Sequence, residues 1–196
     1  MAKLPNIITK TGDKGKTSLW SGERVEKNHF TIRCLSELDY LDSAIGVSYQ
    51  YLKGDTDVSL FLNKIQSRLV NLKGEIATHP LHWKKFYEDF DYIKDSDIKD
   101  LEEECNRIKK ILEEYGYKII GWIRYGEEGD ASAYMDYVRS ICRKCEVEIY
   151  DLDEKLINAE ISKNIKIYIN RLSDYFYWVA RYLFKSDNIS PLFFGN

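Results

Sequence analysis

Residues 9–18 read TKTGDKGKTS, and their glycines, lysines and hydroxyls are the materials of a phosphate cradle. A Walker loop needs G-x-x-x-x-G-K-[ST], with glycines that let backbone N–H groups close around a triphosphate. Gly15, Lys16 and Thr17 match the end of that pattern, but Lys10 stands where the first glycine belongs. Only residues 4–8 could form the buried strand that should precede it. The Walker reading fails. Two readings stay open for the segment: an anion cradle of another design, or a solubilising turn.

Two later stretches carry polar groups at helical spacing. Arg139, Arg143 and Glu146 are separated by four and three residues, which puts them on one narrow stripe of a helix. Such a stripe is either a solvated ladder, with Arg143 and Glu146 as an i,i+3 pair, or a face turned to a ligand. Asn170, Asp174 and Arg181 fall on one polar stripe of a further helix. There INRLSDYFYWVAR sets Asn and Arg among very large aromatics, the composition of a surface that buries against something, another subunit being one candidate. Cys142 and Cys145 form a C-x-x-C without a second pair, inside a helical pattern, and read as small buried residues. His79 and His82 flank Pro80 in a polar loop, with no carboxylate or cysteine spaced to complete a metal site.

The elements that must position these groups are helices. Prolines occur only at 5, 80 and 191, so the middle of the chain is almost uninterrupted. Leu38, Leu41, Ile45 and Tyr49 mark a first helix, entered at Ser36 with Asp39 three residues on as in a capping box. Phe61, Ile65, Leu69, Leu72 and Ile76 mark a second that ends near Pro80. A third runs through Ile98, Leu101, Cys105, Ile108, Leu112 and Tyr115, with Gly116 as its C-terminal cap. Tyr134, Val138, Ile141, Cys145, Ile149, Leu152 and Leu156 mark the fourth. Ile165, Tyr168, Leu172, Phe176, Val179 and Leu183 mark the fifth. Period-two alternation is confined to short pieces near Ile7 and Ile119. The expected fold is all-α: a single-domain, five-helix up-and-down bundle over residues 1–196, with a loop at 1–30 and a tail at 186–196.

Bulk composition narrows the function. The 196 residues are 44% hydrophobic, enough for one real core, and the formal net charge of −3 argues against a general nucleic-acid binder. No apolar run approaches the roughly 18 residues of a membrane helix, and the N-terminus lacks a signal-peptide apolar region. The expectation is a cytoplasmic protein with no membrane partner.

TKTGDKGKTSL followed by GERVEK, then LDYLDSAIG, RSICRKCE and INRLSDYFYWVAR, stand in an order and spacing that resembles the PduO-type ATP:cob(I)alamin adenosyltransferases. The likeness runs from about residue 7 to 184, and its most specific parts are T-[KR]-T-G-D-x-G and N-R-L-S-D-Y. It implies a trimer of five-helix bundles with ATP and corrinoid bound between subunits. The implied reaction is attack of cob(I)alamin on C5′ of ATP, giving adenosylcobalamin and triphosphate. By position, Thr9, Lys10, Thr11, Gly12, Thr17, Ser18 and Lys27 would hold the nucleotide and its phosphates, making the opening segment a non-Walker ATP loop. Arg143, Glu146 and Asn170 would hold triphosphate and nucleoside from the helix side. Asp39 and Arg139 match a pair that joins neighbouring subunits near the corrinoid, and with Arg143 form the catalytic set. Trp122 falls where the family has a phenylalanine below the corrin ring. The resemblance further implies Mg²⁺ at the phosphates, a flavin-dependent reductase as electron source and a B12-dependent mutase as consumer of the product.

The chain departs from the family pattern in three places. D-E-L-N reads Asp39, Tyr40, Leu41, Asp42; the P-G-G turn reads Tyr125, Gly126, Glu127; and the last arginine of C-R-R-A-E-R is Val147. The turn lies beside the expected corrinoid face. Two other classes therefore stand beside the enzyme: a bundle that binds ATP or a corrinoid as sensor or carrier, and a structural oligomer.

Overall fold

The computed structural model describes residues 8, 10–52, 54, 56–118, 122–123, 125–126, 129–186 and 193–194. Five long helices form a closed ring, and the chain alternates direction at each step. They are α1 (Phe30–Ser48), α2 (Thr56–Ile76), α4 (Asp95–Glu114), α5 (Asp130–Lys155) and α6 (Lys163–Ser186). Polar contacts between helices give the order round the ring. Asp39 of α1 and Tyr49, the C-cap of that helix, reach Lys73 and Gln66 of α2. Arg68 of α2 pairs with Asp97 and Asp100 of α4, and Arg171 of α6 with Glu102 of α4. Asn170 of α6 donates to Glu146 of α5, and Lys144 of α5 to Glu37 of α1. The ring is thus α1–α2–α4–α6–α5, with α2 across the bundle from the α5–α6 seam.

Inside the ring lie the apolar positions that the helical period picks out. Leu38, Leu41 and Ile45 of α1, Leu62, Ile65 and Leu69 of α2, and Leu172, Phe176 and Val179 of α6 are fully buried. Cys142 and Cys145 belong to this core, and burial pushes both thiols up. Gly116 takes φ +72°, where glycine is unstrained, and Tyr117 N–H reaches back to the Leu112 carbonyl at 2.9 Å to close α4.

Some expectations change. α1 begins about two turns before Ser36, at His29, whose imidazole accepts the Thr31 N–H at 3.3 Å. Ser36 instead donates to the Ile32 carbonyl inside the helix, so it caps nothing. A capping-box pattern followed by the apolar period looks alike at a true start and one turn further in. The region of His79 and His82 is ordered: His79 caps a 3-10 turn over Pro80–His82, which leads into a short helix α3, Trp83–Asp89. Gly74 makes room for it, since a Cβ there would come within 3.1 Å of Phe86. Two small antiparallel pairs complete the described structure: β1 (Lys16–Ser18) with β2 (Arg24–Glu26), and β3 (Trp122–Ile123) with β4 (Phe193–Phe194).

Candidate active site

The N-terminal loop is a hairpin docked on the end of α2. Thr17 pairs with Val25 and Ser18 with Arg24 across β1 and β2. Gly15 turns the chain at φ +80°, and its carbonyl accepts the Lys27 N–H at 2.8 Å. That bond brings Lys27 back over the loop, so that a Cβ on Gly12 would lie 3.2 Å from its Nζ. Arg24 donates to the Thr11 carbonyl at 2.8 Å, which ties down a stretch that carries no ladder of its own. Lys10 has φ +57°, and Lys10, Thr11 and Ser18 are exposed. The result is an open loop edged by lysines, hydroxyls and N–H groups, the chemistry that receives an anion. Thr9 lies outside the described residues.

The hairpin's far end is fixed to the bundle. Trp20 N–H bonds the Ala77 carbonyl at 3.0 Å, His79 N–H bonds Ser21 Oγ at 2.9 Å, and His82 meets Glu23 at 3.0 Å. The Trp20 ring stands edge-on to Phe90, 4.8 Å between centroids. Burial holds the His29 imidazole below its usual range, which keeps it neutral and able to accept at the start of α1.

The seam of α5 and α6 carries the second group. Asn170 Nδ2 donates to Glu146 Oε1 at 2.9 Å, and Arg171 Nη1 donates to Asn170 Oδ1 at 2.9 Å. Arg171 also donates to Glu102 at 2.9 Å, so the orientation of Asn170 is set from a third helix. One turn toward the N-terminus of α5, Arg143 is exposed, and among the described residues its guanidinium has no ion-pair or hydrogen-bond partner. The expected Arg143–Glu146 pair of a solvated ladder is absent among these residues, because Glu146 turns to Asn170 instead. Arg139 donates to the Tyr125 hydroxyl at 3.3 Å and lies 5.7 Å from the Tyr177 ring centroid.

Arg181 leaves the polar stripe proposed for it. It is fully buried and hydrogen-bonded to the nearly buried Asp136, with Tyr177 5.1 Å beneath its guanidinium. A seven-residue step keeps Arg181 near the azimuth of Asp174, but α5 covers that face toward the C-terminal end of α6. Burial raises the Asp136 carboxyl while the Arg181 charge acts to lower it. The pair is structural.

Asp39 is exposed on α1, where Lys73 of α2 holds it at 2.9 Å. Among the described residues no hydrogen bond or ion pair joins Asp39 to Arg139, or the loop to Arg143, Glu146 or Asn170. One chain therefore presents two separate polar clusters. Trp122 lies in β3, with its backbone paired to Phe194; its side chain lies outside the described residues. Arg24 and Arg171 were not singled out from sequence. The only signals for them were the GERVEK run and the N-R dipeptide, in which the first partner carries the obvious chemistry.

A helical bundle that carries a glycine-lysine loop and, apart from it, an arginine–glutamate–asparagine cluster has the chemistry of a nucleotide-binding helical protein. The family model for cobalamin adenosyltransferase matches residues 7–183, and the chain belongs to that family. Human corrinoid adenosyltransferase MMAB is 29% identical over 99% of this chain and 75% of its own length. The Bacillus subtilis corrinoid adenosyltransferase is 29% identical over 89% of this chain and 84% of its own. A solved variant of a PduO-type ATP:corrinoid adenosyltransferase from Lactobacillus reuteri, complexed with cobalamin and ATP, superposes with a TM-score of 0.84. It is 26% identical, over 97% of this chain and 100% of that one.

Proposed function

We propose that the protein transfers the 5′-deoxyadenosyl group of ATP to cob(I)alamin, giving adenosylcobalamin and triphosphate. The observation that carries this reading is Arg143, a cation on a 26-residue helix, beside a carboxylate and amide already locked to each other. A site waiting for phosphate needs such a charge, carried on a rigid helix and not neutralised from within. Family membership and the relatives' corrinoid adenosyltransferase activity support the same assignment.

In the reaction the cobalt–carbon bond forms as the C5′–O bond breaks, and the electron pair leaves on triphosphate. The protein's work is to hold the two substrates in line and to stabilise the charge that develops on the leaving group. Arg143 presents a rigid donor fork to those oxygens. Lys10, Thr11, Gly12, Thr17, Ser18 and Lys27, with Thr9, would hold the phosphates from the loop side. Glu146, oriented by Asn170, suits the ribose hydroxyls as acceptor. Because no hydrogen bond or ion pair joins the loop to Arg143 among the described residues, the loop of one subunit would close on the α5–α6 seam of the next. A homotrimer, with Asp39 of one chain meeting Arg139 of another, satisfies that need. Exposed Tyr40, Val47, Tyr137, Val147 and Tyr150 on α1 and α5 supply apolar surface for such an interface. Trp122 would lie below the corrin ring, excluding the lower ligand and easing reduction of Co(II).

Among the described residues no group of three His, Cys, Asp or Glu side chains could hold a metal. Mg²⁺ would arrive on the triphosphate, with phosphate oxygens and water as its main ligands. A reductase that supplies Co(I), a B12-dependent mutase that takes the product and a cytoplasmic setting complete the reading. No helix among the described residues is long and apolar enough to cross a membrane. A spectral assay for adenosylcobalamin, with reduced corrinoid and ATP, tests the proposal. Formation of product supports it; ATP binding without product would make the protein a sensor or carrier.

A further inference from the structure

Lys73 draws together two carboxylates that would otherwise repel. Its Nζ lies 2.9 Å from Asp39 Oδ1 and 2.8 Å from Asp42 Oδ2. Asp39 and Asp42 are three residues apart on α1, neighbours on one helix face, where like charges destabilise. The Lys73 and Asp42 side chains are largely covered, 20% and 22% exposed, whereas Asp39 is 70% exposed. Asp42 is secured from its other side as well. Gln66 Nε2 donates to Asp42 Oδ1 at 2.8 Å, and the Tyr49 hydroxyl donates to Gln66 Oε1 at 3.0 Å. A chain of contacts thus runs Tyr49–Gln66–Asp42–Lys73–Asp39 across α1 and α2. It ends on an exposed carboxylate with one oxygen held by Lys73 and the other making no bond among the described residues.

Charge counting sharpens the point. Asp42 stands where the family pattern has asparagine, and Tyr40 where it has glutamate, so the second carboxylate of this stretch lies three residues from Asp39, on the same helix face. One lysine against two carboxylates leaves the cluster net negative, and that residue of charge is displayed on the exposed Asp39. Burial works against the Lys73 charge, but its bonds to Asp42 and Asp39 more than offset this and raise its pKa, so it is a permanent cation at neutral pH.

We infer that Lys73 is a positioning residue: it neutralises Asp42 and fixes the Asp39 carboxylate so that its other oxygen receives the Arg139 guanidinium of a neighbouring subunit. This rests on the inter-subunit pairing of Asp39 with Arg139 proposed above. Asp39 then bridges an internal lysine and an external arginine. An Asp39 left to rotate away from Asp42 would meet that arginine less often.

The test is a set of variants assayed for trimer assembly by sedimentation and for kcat and KM by the adenosylcobalamin spectrum. K73M keeps the side chain's length and removes its charge. It should weaken assembly and lower kcat/KM by about tenfold, a coupling of the size seen within one charge network. K73R should stay near wild type, because it can still span both carboxylates. The double variant K73M/D42N should recover most of the loss, since the repulsion disappears with the second charge. A K73M protein that assembles and turns over like wild type overturns the inference, and so does a K73M/D42N protein that recovers nothing. D39N and R139A keep the two proposals apart. If both are crippled while K73M is not, only the role of Lys73 fails. If both behave as wild type, the inter-subunit pairing itself is wrong.

Discussion

At the scale of single residues, Arg143 and Glu75 have opposite relations to charge. Arg143 is a charge held in the open, so Arg143→Ala should leave α5 intact, alanine being a good helix former. It should lower turnover about a hundredfold, the loss expected for one positioned electrostatic contact. Near-wild-type rates with normal circular dichroism would return Arg143 to a surface role. Glu75 is a charge held inside, 1% exposed, and burial pushes its carboxyl up although bonds from Tyr87 and Ser162 act to lower it. A carboxyl whose pKa is raised on folding contributes stability that is present below the ordinary value of 4.5 and is lost as pH rises through the folded value. Glu75→Gln keeps the shape without that penalty. Its melting temperature relative to wild type should therefore climb between pH 4 and pH 8, and a pH-independent difference would contradict the assignment.

The elements divide between those that the core dictates and those held by a few polar bonds. Each long helix buries a stripe of leucine, isoleucine and aromatic residues, so its existence does not depend on any one contact. The hairpin has three residues per strand and depends on its ties: Arg24 to Thr11, Gly15 to Lys27, and Trp20 to Ala77. Arg24→Ala removes the bond that holds the approach to the loop. We expect KM for ATP to rise about fivefold, since a looser loop must be ordered on binding, with kcat and helix content little changed. An unchanged KM would mean that Arg24 decorates the hairpin without shaping it. How much of this was legible follows the same division. The five helices could be read from period because apolar spacing is written locally. The hairpin could not, since LWSGERVEK has no alternation strong enough to separate it from a plain loop.

For the whole molecule, the proposed function turns on the lack of contact between the loop and Arg143. The bonds of the hairpin run to the ends of α2 and α3, and Arg143 stands on α5, so the proposed site takes its two parts from different copies. Sedimentation at micromolar concentration should show a trimer, and a monomer alone would remove the basis for a shared site. Asp39→Arg or Arg139→Asp should each break the assembly and reduce activity by about tenfold or more, the size of a lost interfacial charge pair. Combined in one chain, the two reversals should restore the trimer, because each new charge again faces its opposite. Failure of the double variant to reassemble would show that these two residues do not meet.

By itself the sequence determined the helices, the core, the family and most residue types at the site, because helical period and motif spacing are local and survive without coordinates. Only the tertiary structure decided which polar residues are available. Arg143 and Arg181 look alike as arginines at helical spacing, yet one stands in solvent and the other is sealed against Asp136. Glu146 had an equally good partner in Arg143 on its own helix, and packing gave it Asn170 from another. The hold of Lys73 on Asp39 and Asp42 joins positions more than thirty residues apart. The physical reason is the same in each case. Burial and cross-helix pairing depend on how helices pack, and the rotation of each helix in the ring is set by all its neighbours together.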